Sequence, residues 1–209
     1  MKRLVTIAEK TQLPGKRSTV TEYFFVIQGE EVEYKAPEVT LRVLSIRHKL
    51  IKRDPVDPAK VINESVFFEG VKKGTQIPDK LGGNACGRTF PVWEGVKEFS
   101  AEERQRQKQL AGYYTYLIGE VTFAGKKPVL VNFRITPGQL KEWIDVQKKL
   151  PKNKNEWGKI LVTAEVFGDK YAELAFKIKD TNASTDTDNE LVEQIEHFIN
   201  EHNQEITNG

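Results

Sequence analysis

The sequence has few of the residues that most often carry chemistry. Its 209 residues include one cysteine, Cys86, so no disulfide can form within the chain, and three histidines, His48, His197 and His202. His197 and His202 lie five positions apart, which does not place two ligands on one helical face. No phosphate loop, dinucleotide fingerprint or Gly-x-Ser-x-Gly sequence is present. We therefore expect no metal, no cofactor and no catalytic residue.

Long apolar runs are also lacking. No stretch approaches the roughly 18 apolar residues that a membrane-spanning helix needs, so we expect no membrane partner. The residues that follow Met1 are basic but do not form the apolar core of a signal peptide. Together with the single cysteine, this predicts a reducing cytoplasm.

Positive charge is missing from the end of the chain. From residue 180 onward there are eight acids and no lysine or arginine. The whole chain has 32 basic and 30 acidic residues, so residues 1–179 hold 32 bases and 22 acids, a net charge of +10 against −8. A basic body suits a polyanion, and an acidic tail can act as an interaction arm or as a mimic of the polyanion. The alternative is that both regions are only solvated surfaces.

The first half of the chain reads as strands followed by a long loop. Segments 19–27 and 39–46 are dense in β-branched and aromatic residues, and 61–69 forms a third, shorter strand. Bases alternate with apolar residues over 47–53, until Pro55 and Pro58 stop the second strand. Residues 70–99 show little periodicity and predict a loop or insertion. A polar surface helix follows over 101–111, with Ser100 and Glu103 as a capping box.

The second half predicts two hairpins with a helix between them. Strands at 113–123 and 128–135 flank a turn at 124–127, and strands at 160–167 and 171–178 flank Gly168. In the first hairpin Val129, Val131, Phe133 and Ile135 share one face, and in the second Leu174, Phe176 and Ile178 mark the buried face. Thr136, Pro137 and Gln139 predict the start of a helix whose Trp143 belongs to the core.

The tail divides into two parts. Residues 180–189 are low in apolar residues and predict a flexible acidic linker. Residues 190–209 form an acidic amphipathic segment, helical over 190–206, with Leu191, Ile195, Phe198 and Ile199 on one stripe. Such a helix docks either on a partner or on the chain's own body, and the sequence favours neither. We expect 1–179 to be one β-rich nucleic-acid-binding domain that is separable from this tail.

Aromatic residues interleaved with bases predict a nucleic-acid-binding face. A protein that binds single-stranded nucleic acid needs cations that follow the phosphates and aromatic rings that stack on the bases. Each stacked base contributes about 1–3 kcal/mol to the binding free energy. Tyr114 and Tyr116 alternate along one strand, and the neighbouring strand carries Arg134. The glycine-rich segment 81–88 can bring Arg88 close to a backbone phosphate. The predicted binding residues are Tyr114, Tyr116, Arg134, Arg42, Arg47, Lys49, Lys52 and Arg88.

The order of these features resembles that of single-stranded-DNA-binding proteins from phages and mobile elements. The likeness rests on residues 113–149, a strand followed by GEVTFAGKKPVLVNFRITPGQ and a helix, and on the flexible acidic tail. It implies an α+β fold rich in β-structure, with a five- or six-stranded antiparallel barrel of the oligonucleotide-binding type and at least two attached helices. It also implies a role in DNA replication or recombination. This chain departs from that family at its end, which lacks a terminal aromatic residue.

Three functions remain open from the sequence. The first is non-enzymatic binding of single-stranded DNA, or of RNA. The second is a protein-interaction or inhibitor protein that acts through its acidic C-terminal helix. The third is a metal-dependent nucleic-acid enzyme, for which acids such as Glu120, Asp145 and Glu165 show no ligand pattern. Salt-sensitive oligonucleotide binding separates the first from the second, and turnover with a divalent metal identifies the third.

Overall fold

A computed structural model describes most of the chain. The described residues are 1–11, 19–29, 34–54, 56–70, 75–90, 112–136, 139–151, 161–168, 172–180 and 188–208. Within them lie eleven strands and two helices. The strands are β1 Lys2–Thr11, β2 Thr19–Gln28, β3 Lys35–Ala36, β4 Glu38–Arg53, β5 Val61–Glu64, β6 Thr75–Pro78, β7 Asn84–Phe90, β8 Gly112–Thr122, β9 Val129–Ile135, β10 Leu161–Phe167 and β11 Glu173–Asp180. The helices are α1 Leu140–Gln147 and α2 Asp188–Asn208.

These elements confirm a β-rich α+β fold, and they form two compact units. The first unit comprises Met1–Ser45 and Leu117–Val192, and the second comprises Ile46–Tyr116 and Glu193–Gly209. Strands β4 and β8 and helix α2 each supply residues to both units. The division therefore differs from the predicted boundary between residues 179 and 180. No helix within the described ranges is long and apolar enough to cross a membrane.

The first unit is built on a mixed, curled sheet. Its strand order is β11-β10-β4-β8-β9-β1-β2-β3. The pairs β1–β2, β2–β3, β4–β10 and β10–β11 are antiparallel, whereas β1 and β9 are parallel, with Leu4 opposite Phe133. Strands β10 and β2 approach each other although four strands separate them in this order, so the sheet curls.

The core of this unit consists of apolar side chains that alternate along the strands with more exposed ones. Phe133 and Ile135 of β9 are buried, as predicted, and the ring of Phe133 meets that of Phe25 edge-on at 5.7 Å between centroids. Leu4 and Ile27 are almost fully buried as well. Each such side chain contributes about 1.5–3 kcal/mol relative to an exposed position.

Helix α1 buries Trp143 as predicted, but it begins later than its capping residues predicted. Trp143 is fully buried and packs edge-on against Phe176, with 5.5 Å between centroids. The helix begins at Leu140 with Gln139 at its N-cap position and no side-chain cap, so the predicted N-cap Thr136 lies three residues before the observed one. The Thr136 N–H does donate to Gln139 Oε1 over 3.2 Å, but this bond precedes the helix. The predicted Pro137 position lies outside the described residues.

The second hairpin is confirmed, with one correction to its buried face. Strands β10 and β11 pair in register from Val166–Leu174 through Val162–Ile178. Leu174 and Phe176 are buried, as predicted, but Ile178 is 36% exposed. The register shifts between Leu161 and Val162, close to the partner of Ile178. A bulge of this kind disturbs the inward and outward alternation of side chains.

The region predicted as a long loop contains a hairpin. Strands β6 and β7 pair antiparallel, and Gly82 in their turn has φ +73°, a conformation that glycine adopts without strain. Sequence periodicity missed these strands because β6 has only four residues and includes Pro78. The helix predicted over 101–111 and residues 181–187 of the predicted linker lie outside the described residues.

Close packing of β4 on β8 in the first unit depends on Gly119. A Cβ atom at this position would lie 2.0 Å from the carbonyl oxygen of Arg42 and 3.1 Å from the amide nitrogen of Leu44. Both contacts are to backbone, so neither neighbour can move aside without disturbing β4. The two strands can approach this closely only where β8 has no side chain.

We predict that Gly119→Val destabilises the fold by about 3 kcal/mol, because the added atoms overlap the β4 backbone. Urea-induced unfolding followed by circular dichroism measures the change. Gly70→Val is the matched control, since a Cβ at Gly70 meets no atom within 4 Å. The control should stay within about 0.5 kcal/mol of the parent. Equal stability of the two variants would contradict the prediction.

Candidate nucleic-acid interface

Two predicted binding residues lie in the first unit, and one of them is buried. Arg42 of β4 is 8% exposed, and its Nη1 lies 3.0 Å from Glu120 Oε2 on β8. This guanidinium is therefore held inside the sheet by an ion pair and does not face solvent. Arg134 of β9 is half-buried. The predicted grouping of Arg42 with exposed bases needs correction, because a partner on the neighbouring strand cannot be read from the local sequence.

The predicted pair of outward-facing tyrosines also needs correction. Tyr114 is half-buried, but Tyr116 is only 9% exposed and packs edge-on against Phe67, with 5.1 Å between ring centroids. All residues from 115 to 119 are buried. A strand buried on consecutive residues has no solvent face, so period-two alternation does not reveal which side chains are exposed.

The bases of the second half of β4 have different environments. Arg47 is half-buried, and its guanidinium lies 2.6 Å from Glu196 and 2.9 Å from Glu69. Lys49 is 2% exposed. Lys52 is half-buried on the same strand. Arg88 belongs to β7, but its side chain lies outside the described residues.

Two of the eight predicted residues, Lys49 and Tyr116, contact the ring of Phe67, a residue that was not predicted to bind. In the second unit, Lys49 Nζ lies 5.1 Å from the centroid of the Phe67 ring, and Tyr116 meets the same ring edge-on. Arg47 lies two residues before Lys49, and residues at this spacing share one face of a strand. We call Arg47, Lys49, Phe67 and Tyr116 the Phe67 cluster. The signal for Phe67 in the sequence was a Phe-Phe pair next to a basic strand.

Helix α2 covers the Phe67 cluster. Its residues Ile195, Ile199 and Ile206 are buried, so the apolar stripe packs within the second unit. The ring of Phe198 lies 6.4 Å from that of Phe67. Asn203 clamps the same residue, because the Phe67 N–H donates to Asn203 Oδ1 over 2.7 Å and Asn203 Nδ2 donates to the Phe67 carbonyl over 3.1 Å. Of the two arrangements considered for the helix, the structure therefore has it docked on the chain itself.

Charge complementarity holds this helix on the basic strand. Glu196 of α2 pairs with Arg47, and His202 Nε2 lies 2.6 Å from Lys49 Nζ, which is also 2.5 Å from Glu64 Oε2. The ammonium donates to both groups, so the His202 ring accepts at Nε2 and is neutral. Burial and the neighbouring Lys49 charge hold the pKa of His202 below its ordinary value.

The second unit contains another set of rings, which contact one another. His48 stacks on Tyr113 with 4.9 Å between centroids, and its Nδ1 lies 3.2 Å from Thr115 Oγ1. The ring of Phe68 lies 5.8 Å from His48. Burial raises the pKa of the Tyr113 phenol well above its ordinary value, so this ring is neutral at physiological pH.

The glycine-rich segment has a structural function in the described residues. Asp79 is buried, and its Oδ1 accepts from the amide nitrogens of Leu81 at 3.1 Å and Gly83 at 2.9 Å. Two amides that could have met a phosphate are thus occupied by a carboxylate of the chain. Over the described ranges, no group of three or more His, Cys, Asp or Glu residues could hold a metal ion.

We predict that acidification loosens α2. The pKa of His202 in the folded state lies below its unfolded value of 6.5, so its stabilising contribution is present above pH 6.5. It is lost as the pH falls from about 6.5 through the lower folded value, when an imidazolium would face Lys49, with only Glu64 and Glu205 to offset it. Melting temperatures measured between pH 7.5 and 5 test this.

Two histidine variants should differ in how much their melting temperature falls on acidification. His202→Gln should show a smaller loss of melting temperature on acidification than the parent protein. His197→Gln should behave as the parent does, because His197 is exposed and its ion-pair partner among the described residues, Glu201, belongs to the same helix. Parallel pH profiles for His202→Gln and the parent would exclude His202 as the responsive group.

Comparisons with known proteins give no guide to the role of the Phe67 cluster. A scan against protein-family models matches no family, and neither a search of curated proteins nor a search of solved structures finds a relative. What this region does must therefore be judged from its own charges, rings and contacts.

Proposed function

We propose that this chain is a non-enzymatic protein that binds single-stranded DNA and that the Phe67 cluster forms part of its binding face. One observation carries this proposal: two cations and two rings of the second unit lie together beneath the chain's own acidic helix. We further propose that the curled sheet is of the oligonucleotide-binding type and that the protein supports phage or mobile-element DNA replication or recombination.

The composition of the cluster supports this function. Single strands are bound by cations that track phosphates and by rings that stack on bases, each stacked base contributing about 1–3 kcal/mol. Arg47 offers a planar fork that suits phosphate oxygens, and Lys49 offers a compact charge beside an aromatic ring. The half-buried Tyr113 and His48 rings add π-surface in the same unit.

The acidic helix supports it in a second way. Glu196 occupies the guanidinium of Arg47 as a phosphate oxygen would, and Phe198 and His202 lie on Phe67 where bases would stack. A nucleic acid that takes the Phe67 cluster must displace α2 and its carboxylates. The competition is strongest at low ionic strength, since the Debye length is about 10 Å at 0.1 M salt.

A protein-interaction or inhibitor function is the second candidate. It is favoured by the outward face of α2, where Glu193, Glu201 and Glu205 are exposed. The apolar stripe of the helix is not offered to a partner, because Ile195, Ile199 and Ile206 are buried in the second unit. A partner of this kind would recognise carboxylates, and the chain itself would show no salt-sensitive affinity for oligonucleotides.

We predict that loosening α2 in the full-length chain tightens single-strand binding. Ile199→Asp places a charge in the buried contact of the helix, whereas Asn200→Asp adds the same charge at an exposed neighbouring position. Fluorescence anisotropy with a thymidine oligonucleotide, measured at several salt concentrations, compares both variants with the parent. Ile199→Asp should bind about tenfold more tightly, which corresponds to about 1.4 kcal/mol, and the gain should shrink as salt rises.

The same titrations decide the function itself. The parent protein should bind single strands more tightly than a duplex of equal length, with an affinity that falls steeply as salt increases. Circular dichroism must show that Ile199→Asp keeps its strands. Absence of any salt-sensitive binding by the parent would overturn the proposed function, and a folded Ile199→Asp protein that binds more weakly than Asn200→Asp would remove the Phe67 cluster from the site.

A further inference from the structure

A groove in the first unit combines two rings with two lysines. Tyr34, Phe123, Lys126 and Lys127 line it, with Ile27 and Val129 as its apolar wall, and its volume is about 380 Å³. The rings of Tyr34 and Phe123 lie 6.1 Å apart with an interplanar angle of 42°. This volume lies within the range of about 300–1,000 Å³ that is typical of sites for small organic groups.

The turn between β8 and β9 brings the lysines to the rings. The Lys126 N–H donates to the Phe123 carbonyl over 3.0 Å, and Gly125 has φ +71°, which closes the turn. Phe123 is buried and anchors the turn, so Lys126 folds back over Tyr34, with Nζ 4.9 Å from the ring centroid. The turn itself is predicted by the sequence, but no ligand is predicted for it.

The charge of the groove is not neutralised within the part of the chain that the structure describes. Neither Lys126 nor Lys127 is paired there with a carboxylate, and both are exposed. This differs from Arg47 and Lys49 in the second unit, whose charges are met by glutamates. A ligand that enters the groove of the first unit meets aromatic surface at its base and two cations at its rim.

We propose that this groove is a subsite for one unpaired nucleobase and its adjacent phosphate. The base would lie against the Tyr34 ring in place of the Lys126 ammonium, which would move to the phosphate. An anion alone would leave the apolar wall unused, and an apolar ligand would leave two cations unmatched. The inference rests on the proposed single-strand binding and assigns a second contact region to it, at residues that the sequence did not select.

Full-length variants test the subsite by affinity and by salt dependence. Tyr34→Ala should weaken binding of a thymidine oligonucleotide by about 5- to 150-fold, whereas Tyr34→Phe, which keeps the ring, should bind as the parent does. Lys126→Gln should lower the slope of log affinity against log salt by about 0.7. Lys141→Gln on α1 makes the same charge change at an exposed site away from the groove and should leave the slope unchanged.

Photochemistry gives a direct readout that does not depend on the folding of variants. An oligonucleotide with 5-iodouracil should crosslink to Tyr34 of the parent protein, as peptide mass spectrometry would show. If the parent binds single strands but Tyr34→Ala retains full affinity and Tyr34 is not crosslinked, the subsite is wrong and the proposed function stands. If the parent does not bind at all, both fail. Equal affinity for thymidine monophosphate and for the oligonucleotide would also overturn the subsite, because its ligand would then be a free nucleotide.

Discussion

The close contact between β4 and β8 is the constraint on which the sheet of the first unit depends. Strand β4 pairs with β10 along its first half, and β8 lies on its other side, so these two strands are central to the curled sheet. Their backbones approach so closely at Gly119 that no side chain fits between them. The same two strands continue into the second unit, where β4 supplies Arg47 and Lys49 and β8 supplies Tyr116.

Local patterns predicted much of the fold, and long-range partners account for what they missed. The alternation of apolar and polar residues predicted β9, and residues typical of a helix start predicted that α1 exists. Both signals lie in neighbouring residues of the sequence. The burial of Tyr116 and the pairing of Arg42 with Glu120 depend on residues at least 49 positions away. A single sequence shows that a residue is charged or aromatic, but it does not show which distant group will meet it. For this reason the sequence predicted which types of residue form the candidate site, but it predicted only in part which of them are exposed.

The buried ammonium of Lys49 helps to explain why residues 193–209, which include most of α2, belong to the second unit. An unpaired charge inside a protein costs several kcal/mol, and Glu64 offsets only part of that cost. His202 of α2 supplies a neutral acceptor, and Phe67 supplies a ring face at 5.1 Å. The tail's negative charge is thus used within the chain, at Arg47, while its histidine meets Lys49. The charge separation seen in the sequence corresponds to one docked helix.

The Asn203 clamp has a consequence for whatever displaces α2. Its side-chain amide gives the Phe67 backbone one donor and one acceptor, which is what a neighbouring strand would provide. When the helix leaves, this short piece of backbone becomes an open edge that invites pairing with another chain. A nucleobase edge also presents a donor beside an acceptor, as adenine does with N6–H and N7. A ligand that displaces the helix must therefore supply a donor and an acceptor to the Phe67 backbone or leave both groups to water.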